Sequence, residues 1–225
     1  MSSHKHGSDD GESQTHHSPR DRAIDALMAL AAEKPWVDIS LSEVAARAEL
    51  SLAQLRDAFP SKGAILGGFS RRIDRMVLDG TTGDLAGESA KDRLFDVLMR
   101  RFDALKPYKA ALDNIETWAV RDPLALVELN RLAINSMRYM LEAAGVSSEG
   151  PLGPVKLQGL VVAWTRTLRV WLADESEDTA RTMSALDKAL ERGRVWSERL
   201  DETRRTLAPL ANPLFGLAER VLGAR

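Results

Sequence analysis

The chain lacks cysteine altogether, and its four histidines all lie within the first 17 of its 225 residues. The absence of cysteine excludes disulfide frameworks, zinc ribbons, iron–sulfur clusters and thiol nucleophiles, and it is typical of a reducing cytoplasm. The absence of histidine from residue 18 onward excludes a Ser/His/Asp triad and histidine acid–base or metal chemistry from the folded body. Phosphate-binding and dinucleotide-binding glycine patterns are also missing, and the carboxylates are scattered. We therefore expect a protein that is not an enzyme, with no cofactor and no metal.

An excess of charge of one sign is missing too, because 31 lysines and arginines are balanced by 33 aspartates and glutamates. No segment forms a basic arm, so the chain is not expected to attract nucleic acid through its net charge. Any binding to DNA has to come from local geometry.

Long hydrophobic runs are absent as well. The longest stretch without a charged residue, 206–218, is shorter than the ~18 residues of a membrane-spanning helix and contains two prolines. The tail 1–17 has no apolar run, so we expect it to be disordered and to be neither a signal peptide nor a transit peptide. The apolar segment 206–222 lacks a basic face and is expected to pack on the body. These features predict a soluble, cytoplasmic protein with no stable membrane insertion.

From Ser18 onward, apolar residues recur at helical spacing, and no strand-like alternation exceeds four residues. This periodicity predicts an all-α fold. The N-terminal part should contain a helix ending near Lys34-Pro35, two short helices, and a longer helix from Pro60-Ser61 whose buried stripe includes Met76. Prolines, glycines and an acidic stretch divide the rest into helices predicted over 88–106, 107–120, 123–144, 154–173, 178–194 and 203–222.

Capping boxes mark the starts of the two short helices. Ser40 precedes Glu43 by three residues, and Ser51 precedes Gln54 by three. In such a box the hydroxyl and the later side chain satisfy the free N–H groups at the helix start reciprocally. The turn between the helices, 48–50, is short, so the two helices are predicted to form a helix-turn-helix.

The order of features from Arg22 to Phe69 resembles the DNA-binding domain of the TetR family of transcriptional regulators. The resemblance rests on Ala26, Ile39-Ser40, Glu43-Val44-Ala45, Ala48, Ser51, Phe59-Pro60-Ser61-Lys62 and Ile65-Leu66. It implies a TetR-like fold with an N-terminal three-helix helix-turn-helix domain over 18–66 and a C-terminal helical ligand-binding and dimerisation domain over 67–225. In that family the phenylalanine anchors the reading helix, and the Ser-Lys pair begins the next helix, where a DNA phosphate can dock.

Three residues depart from the family pattern. Glu49 stands where the turn usually has glycine, so it is expected to adopt a left-handed conformation at a cost of ~1 kcal/mol or to change the turn. Arg56 replaces an aromatic residue that typically packs against the DNA backbone, and Asp57 follows it. Arg56 could contact a phosphate or a guanine, whereas the charge of Asp57 would oppose such a contact.

A second resemblance covers roughly 90–190 and rests on the segments 93–95, 101–107, 137–145 and 169–182. These segments are similar to the C-terminal domain of TetR-type regulators close to the lipid-binding accessory proteins of ubiquinone biosynthesis. The similarity supplies an alternative interpretation, a lipid- or quinone-binding accessory protein that has a TetR fold and does not bind DNA.

The two resemblances imply three sets of site residues. The expected DNA contacts are Ser40, Ser42, Ser51, Gln54, Arg56 and Lys62. The serines and Gln54 have a competing interpretation as helix caps only, because both uses need the same atoms. The bulky side chains that form either plain core or the lining of an effector cavity are Phe95, Met99, Phe102, Trp118, Met137, Met140 and Trp164. The expected dimer interface consists of Leu157, Val161, Leu168, Trp171, Met183 and Leu186.

Together these features predict a ligand-responsive transcriptional regulator that acts as a repressor. It would bind a palindromic double-stranded DNA operator as a homodimer, because two-fold symmetry presents two reading helices to successive major grooves. A small apolar or amphipathic effector would shift the dimer toward a state that no longer matches the operator.

Overall fold

A computed structural model describes residues 18–80, 87–150 and 152–194 of the chain. The tail 1–17, the helix predicted over 203–222 and the apolar segment 206–222 lie outside the described residues. Within the described ranges the chain is helical and contains no β-strand, as the apolar periodicity predicts.

The N-terminal part contains four helices. They are α1 (Pro19–Glu33), α2 (Leu41–Arg47), α3 (Leu52–Ala58) and α4 (Lys62–Asp79), with a short 3-10 turn, Trp36–Asp38, between α1 and α2. A serine caps the start of each helix: Ser18, Ser40, Ser51 and Ser61 each accept a hydrogen bond from a backbone N–H three residues later. Such caps satisfy donors that have no partner inside the helix, which explains why the predicted starts are confirmed.

Within residues 87–150 and 152–194, five further helices lie within a few residues of their predicted bounds. They are α5 (Ala90–Leu105), α6 (Lys109–Ala119), α7 (Pro123–Ala143), α8 (Gly153–Leu172) and α9 (180–194). Asp122 caps α7 by accepting bonds from two backbone N–H groups, and proline occupies its first position. This is the position where a missing N–H costs nothing.

The buried side chains form one continuous hydrophobic cluster that runs from α1 to α9. Helix α4 lies at its centre, because it packs on α1 at one end and on α5 and α7 at the other. It also runs without a break through residue 66, the predicted domain boundary. The two parts of the chain are therefore joined by a shared helix and a shared core.

One prediction about α4 is wrong. Met76 was expected in its buried stripe, but the side chain is 54% exposed. Its neighbours Ile73 and Val77 are buried and already face α5 and α7. Met76 lies on the adjacent face of the helix, where no element of the described chain covers it.

Candidate nucleic-acid interface

The turn between α2 and α3 keeps its shape although it lacks glycine. Glu49 adopts φ 54°, the left-handed conformation expected at this position. The turn closes through a hydrogen bond of 2.9 Å from the Leu50 N–H to the Ala45 carbonyl. Arg22 of α1 donates to the Glu49 carbonyl at 3.3 Å. The strained residue is thus held by backbone contacts, and its exposed carboxylate takes no part in them.

Both capping boxes are confirmed. Ser40 Oγ accepts from the Glu43 N–H at 3.2 Å, and Glu43 Oε2 accepts from the Ser40 N–H at 2.9 Å. In the second box Ser51 Oγ accepts from the Gln54 N–H at 3.1 Å, while Gln54 Oε1 accepts from the Ser51 N–H at 2.9 Å. The acceptor atoms of the predicted contacts Ser40, Ser51 and Gln54 are therefore used by their own helices, and their contact with DNA stays a prediction.

Helix α3 is anchored from below by two buried side chains. Leu55 and Phe59 are 2% and 3% exposed. Phe59 lies so close to α4 that a Cβ on Gly68 would come within 2.8 Å of its ring. This anchoring turns the opposite face of α3 to solvent and agrees with the role that the resemblance gives to the phenylalanine.

Two of the predicted DNA contacts are exposed and have free side chains. Ser42 on α2 and Arg56 on α3 make no hydrogen bond or ion pair with any described residue. Asp57, next to Arg56, is also exposed and unpaired within the described ranges. The DNA contacts of Ser42 and Arg56 stay a prediction, and both side chains are free to make them.

Lys62 has a different environment from the one predicted. Its Nζ donates to the carbonyl oxygens of Trp36 and Ile39 at 2.9 and 2.6 Å, and it lies 4.9 Å from the centre of the Trp36 ring. Burial lowers the pKa of this amine, although Asp38 and Glu43 act in the opposite direction. Lys62 thus connects the start of α4 to the 3-10 turn before α2. Two of the three N–H groups of its ammonium are used in this way, so a DNA phosphate could accept only from the third.

Two other cations near this surface have acidic partners. Arg47 pairs with Glu33 at 2.7 Å, and Lys34 pairs with Glu43. Hydrogen bonds from Lys34 and Ser40 lower the pKa of Glu43 from 4.5 to about 2. This pairing leaves Arg56 as an unpaired cation on the exposed face of α3 and agrees with the neutral charge balance of the sequence.

Helix α6 connects the helix-turn-helix to the rest of the molecule. Asn114 Nδ2 donates to the carbonyl oxygens of Ala31 and Lys34 at 3.0 and 2.8 Å, where α1 ends. One turn later Trp118, a predicted effector contact, stacks on Trp36 with ring centres 5.3 Å apart. No sequence pattern predicts the Asn114 contact, because both of its partners are backbone atoms about eighty residues away.

The other predicted effector contacts lie in or beside the core of the C-terminal part. Phe102, Met137, Met140 and Trp164 are buried, whereas Phe95 and Met99 are partly buried. The Phe102 ring stacks on Trp164 with centres 4.5 Å apart. These contacts are compatible with plain core packing, and the effector role of the seven residues stays a prediction.

A buried ion pair crosses the same core. Arg101 of α5 pairs with Asp74 of α4, and Ser136 of α7 donates to the same Asp74 oxygen at 2.7 Å. The Arg101 Nε has no partner among the described residues, and its guanidinium lies 5.2 Å from the Trp164 ring centre. Because a buried unpaired charge is expensive, the cluster fixes how α4, α5 and α7 fit together.

A groove of about 1320 Å³ lies between α8 and α9, with the start of α5 at one side. Its lining includes the apolar side chains Leu94, Val155, Leu160, Val162 and Val170 and the basic side chains Lys91, Lys156, Arg166, Arg181, Lys188 and Arg192. None of the seven predicted effector contacts lines this groove.

Most of the predicted dimer residues lie inside the protomer and not along this groove. Leu157, Val161, Trp171 and Leu186 are buried within the protomer, so they offer no surface to a second copy. Leu168 and Met183 are half-buried. Apolar periodicity identified the buried side of α8, whereas the exposed apolar side chains of this helix are Val155 and Val162. The physical reason is that a buried stripe looks the same in sequence whether one chain or two chains cover it.

Three solved structures share this arrangement of helices. A TetR transcriptional regulator from Nitrosomonas europaea has 22% identity and a TM-score of 0.62, with 78% of this chain and 97% of that chain covered. A TetR regulator from Rhodococcus sp. RHA1 has 24% identity and a TM-score of 0.56, with 78% and 95% covered. The chain has the TetR fold.

A third TetR-fold neighbour, a TetR-family regulator from Streptomyces coelicolor, covers more of the chain. It has 18% identity and a TM-score of 0.52, with 92% of this chain and 98% of that chain covered. No protein-family model matches the chain, and no curated protein matches it. The described helices include none that is long and apolar enough to cross a membrane. Within the same ranges, no group of three or more His, Cys, Asp and Glu side chains is placed to hold a metal ion.

Proposed function

We propose that the chain is a DNA-binding transcriptional regulator of the TetR type, which represses by binding a palindromic operator as a homodimer. The observation that carries the proposal is the exposed face of α3, with an unpaired Arg56, held on a helix-turn-helix by Leu55 and Phe59. Such a helix fits the major groove, and a cation on its outer face can contact a phosphate or a guanine. The three neighbours that share the fold support this choice.

We assign the dimer contact to the outer sides of α8 and α9. Val155 and Val162 are 53% and 41% exposed and line the groove between the two helices. Exposed apolar side chains along a groove favour a helical partner, and a two-fold axis through this face would pair the two helices of one protomer with those of the other.

The contacts of α6 supply a route from an effector to the DNA. A small apolar or amphipathic molecule that moves α6 would act on the end of α1 through Asn114 and on the 3-10 turn through Trp118. Both contacts are made with the N-terminal part of the chain, which also contains α3. The effector would therefore select a state in which the two reading helices of the dimer no longer fit successive major grooves.

Selection of genomic fragments by the purified full-length protein tests the proposal. We expect enrichment of a palindromic sequence, and Arg56→Ala should weaken its binding by about 1–3 kcal/mol if Arg56 contacts a base. Arg121→Ala is the matched control, because Arg121 is also exposed and has no side-chain partner in the described chain but lies at the end of α6. Equal binding by both variants and the wild type would remove Arg56 from the interface. Failure to enrich any fragment at low salt would contradict the proposed function.

A second candidate function is favoured by the groove between α8 and α9. Its apolar floor and basic rim suit an amphiphile with an anionic head, the chemistry expected of a lipid-binding accessory protein. Native mass spectrometry of the protein from cells distinguishes the two functions. A copurified amphiphile that is lost in Lys188→Glu, in a protein that retains no DNA, would support the second function over the first.

A further inference from the structure

The base-reading capacity of α3 is narrower than its polar residues suggest. Ser51 and Gln54 are the polar uncharged side chains of this segment. Their acceptor oxygens are engaged in the capping box, so Gln54 can offer a base only the N–H groups of its Nε2. Leu55 is buried under the helix. The exposed side chains without an internal partner in the described structure are Leu52, Ala53, Arg56 and Asp57.

Leu52 stands out within this set. It is 56% exposed and is the largest apolar side chain on the outer face of α3. The core does not require it, because Leu55 and Phe59 already anchor the helix. A lone exposed leucine is ordinary on a protein surface, so its position carries the argument. It lies on the face that the proposed function turns toward the base edges.

Leu52 and Arg56 lie on the same face because they are four residues apart in a helix. Four residues correspond to a rise of about 6 Å along the helix axis. Base pairs are spaced about 3.4 Å apart in B-DNA, so a helix lying along the major groove would place the two side chains about two base pairs apart.

This inference rests on the proposed function and specifies what α3 recognises. We propose that Leu52 reads the C5-methyl group of a thymine and that Arg56 reads a guanine about two base pairs away in the same half-site. In the major groove thymine presents an apolar methyl group. Guanine presents two acceptors, O6 and N7, and one arginine can donate to both of them in a bidentate contact. The exposed methyl group of Ala53 adds a small apolar surface beside Leu52 on the adjacent face of the helix.

Removal of single DNA groups tests the two contacts separately. The operator is the fragment recovered by genomic selection, with each half-site thymine replaced in turn by deoxyuridine, which lacks only the methyl group. At one position the wild type should lose about fourfold in affinity, the value of one buried methyl group. Replacing one guanine by 7-deazaguanine, which lacks the N7 acceptor, should weaken binding by tenfold or more.

Matched variants tie each effect to its residue. Leu52→Ala should bind thymine and deoxyuridine operators equally, whereas Leu41→Ala should keep the difference, because Leu41 is an exposed leucine at the start of α2. Arg56→Ala should bind guanine and 7-deazaguanine operators equally. Both leucine variants change exposed side chains, and circular dichroism confirms that they fold.

The outcomes separate this inference from the proposed function. Specific binding that tolerates every deoxyuridine, with Leu52→Ala unchanged, overturns the thymine contact and leaves the regulator proposal standing. A change of oligomeric state in Leu52→Ala without a change in DNA affinity assigns Leu52 to a protein contact and also overturns it. If no fragment is bound at all, both proposals fall.

Discussion

At the scale of single residues, Glu49 combines backbone strain with an unfavourable charge. A non-glycine residue in the left-handed region is strained, and its carboxylate adds a negative charge beside the proposed DNA face. The resemblance to the TetR family indicates this conflict, because Glu49 stands where that family usually has glycine. It does not show how the turn survives, since the supporting bonds join Glu49 and its neighbours to the backbone and to Arg22.

Substitution of Glu49 separates strain from charge. Glu49→Gly should raise the free energy of unfolding by about 0.5–1 kcal/mol, because it relieves the left-handed strain at the cost of greater freedom in the unfolded chain. It should also strengthen DNA binding. Glu49→Gln is the control, since it removes the charge and keeps the strain; we expect tighter binding and unchanged stability. Chemical denaturation and operator titration measure the two effects, and a less stable Glu49→Gly protein would contradict the assignment.

Lys62 shows why a residue type alone does not establish a DNA contact. The Ser-Lys pair at the start of α4 suggested a phosphate site, but the amine donates to Trp36 and Ile39. Both partners are carbonyl oxygens more than twenty residues away, and such contacts leave no pattern in the sequence.

We expect Lys62→Met to lower the thermal midpoint of unfolding, because the part-buried carbonyl oxygens of Trp36 and Ile39 lose the bonds from Nζ while most of the apolar stem is retained. The slope of log affinity against log salt should stay close to that of the wild type. A fall in that slope by about one unit, with an unchanged thermal midpoint, would instead restore Lys62 as a phosphate contact.

At the scale of helices, the sequence predicts where a helix starts better than it predicts which face of the helix is buried. Each start follows from short-range chemistry, as in the box of Ser40 and Glu43, where spacing alone specifies the bonds. The burial of a face depends on which distant helix covers it. The burial predicted for Met76 is wrong for that reason, since periodicity does not identify the covering element. Leu157 and Trp171 are buried within the protomer, and their place in a dimer interface stays a prediction.

The α2 capping box makes the helix-turn-helix sensitive to acid. The pKa of Glu43 falls from 4.5 to about 2 in the folded protein because Lys34 and Ser40 donate to its carboxylate. The stabilisation is therefore complete above about pH 4.5 and is lost as the pH falls toward 2.

Glu43→Gln should lower the thermal midpoint at pH 7, and the gap between the variant and the wild type should shrink steadily between pH 4.5 and 2. Thermal unfolding followed by circular dichroism over this range measures the gap. A gap that is independent of pH would show that the glutamate acts through its shape and not through its charge.

At the scale of the whole molecule, two features determine the proposed behaviour. One is the shared helix α4 and the Asn114 and Trp118 contacts, which join the helix-turn-helix to the C-terminal part. The other is the apolar and basic groove between α8 and α9, which sequence reasoning missed because its lining alternates small, apolar and charged residues. The all-α fold was predictable from the apolar periodicity, whereas the contacts between distant helices were not.

We expect Val162→Asp to dissociate the dimer, because it replaces an exposed apolar side chain of α8, on the side that we assign to the interface, with a carboxylate that would have to lose its water there. Val127→Asp is the matched control: it introduces the same charge at a valine that is 69% exposed on α7. Sedimentation analysis should give monomers for Val162→Asp and dimers for Val127→Asp and the wild type. Dissociation by both variants, or by neither, would contradict the assigned face.

The central claim, that this chain is a dimeric operator-binding regulator, is tested most directly by titrating the full-length protein on its selected fragment at several salt concentrations. The account predicts two protomers bound per palindrome and a logarithm of the binding constant that falls linearly with the logarithm of the salt concentration, as expected when counterions are released from the DNA. It also predicts a loss of affinity in Arg56→Ala at every salt concentration. A protein that retains no DNA even at low salt, while an anionic amphiphile copurifies with it, would contradict the account.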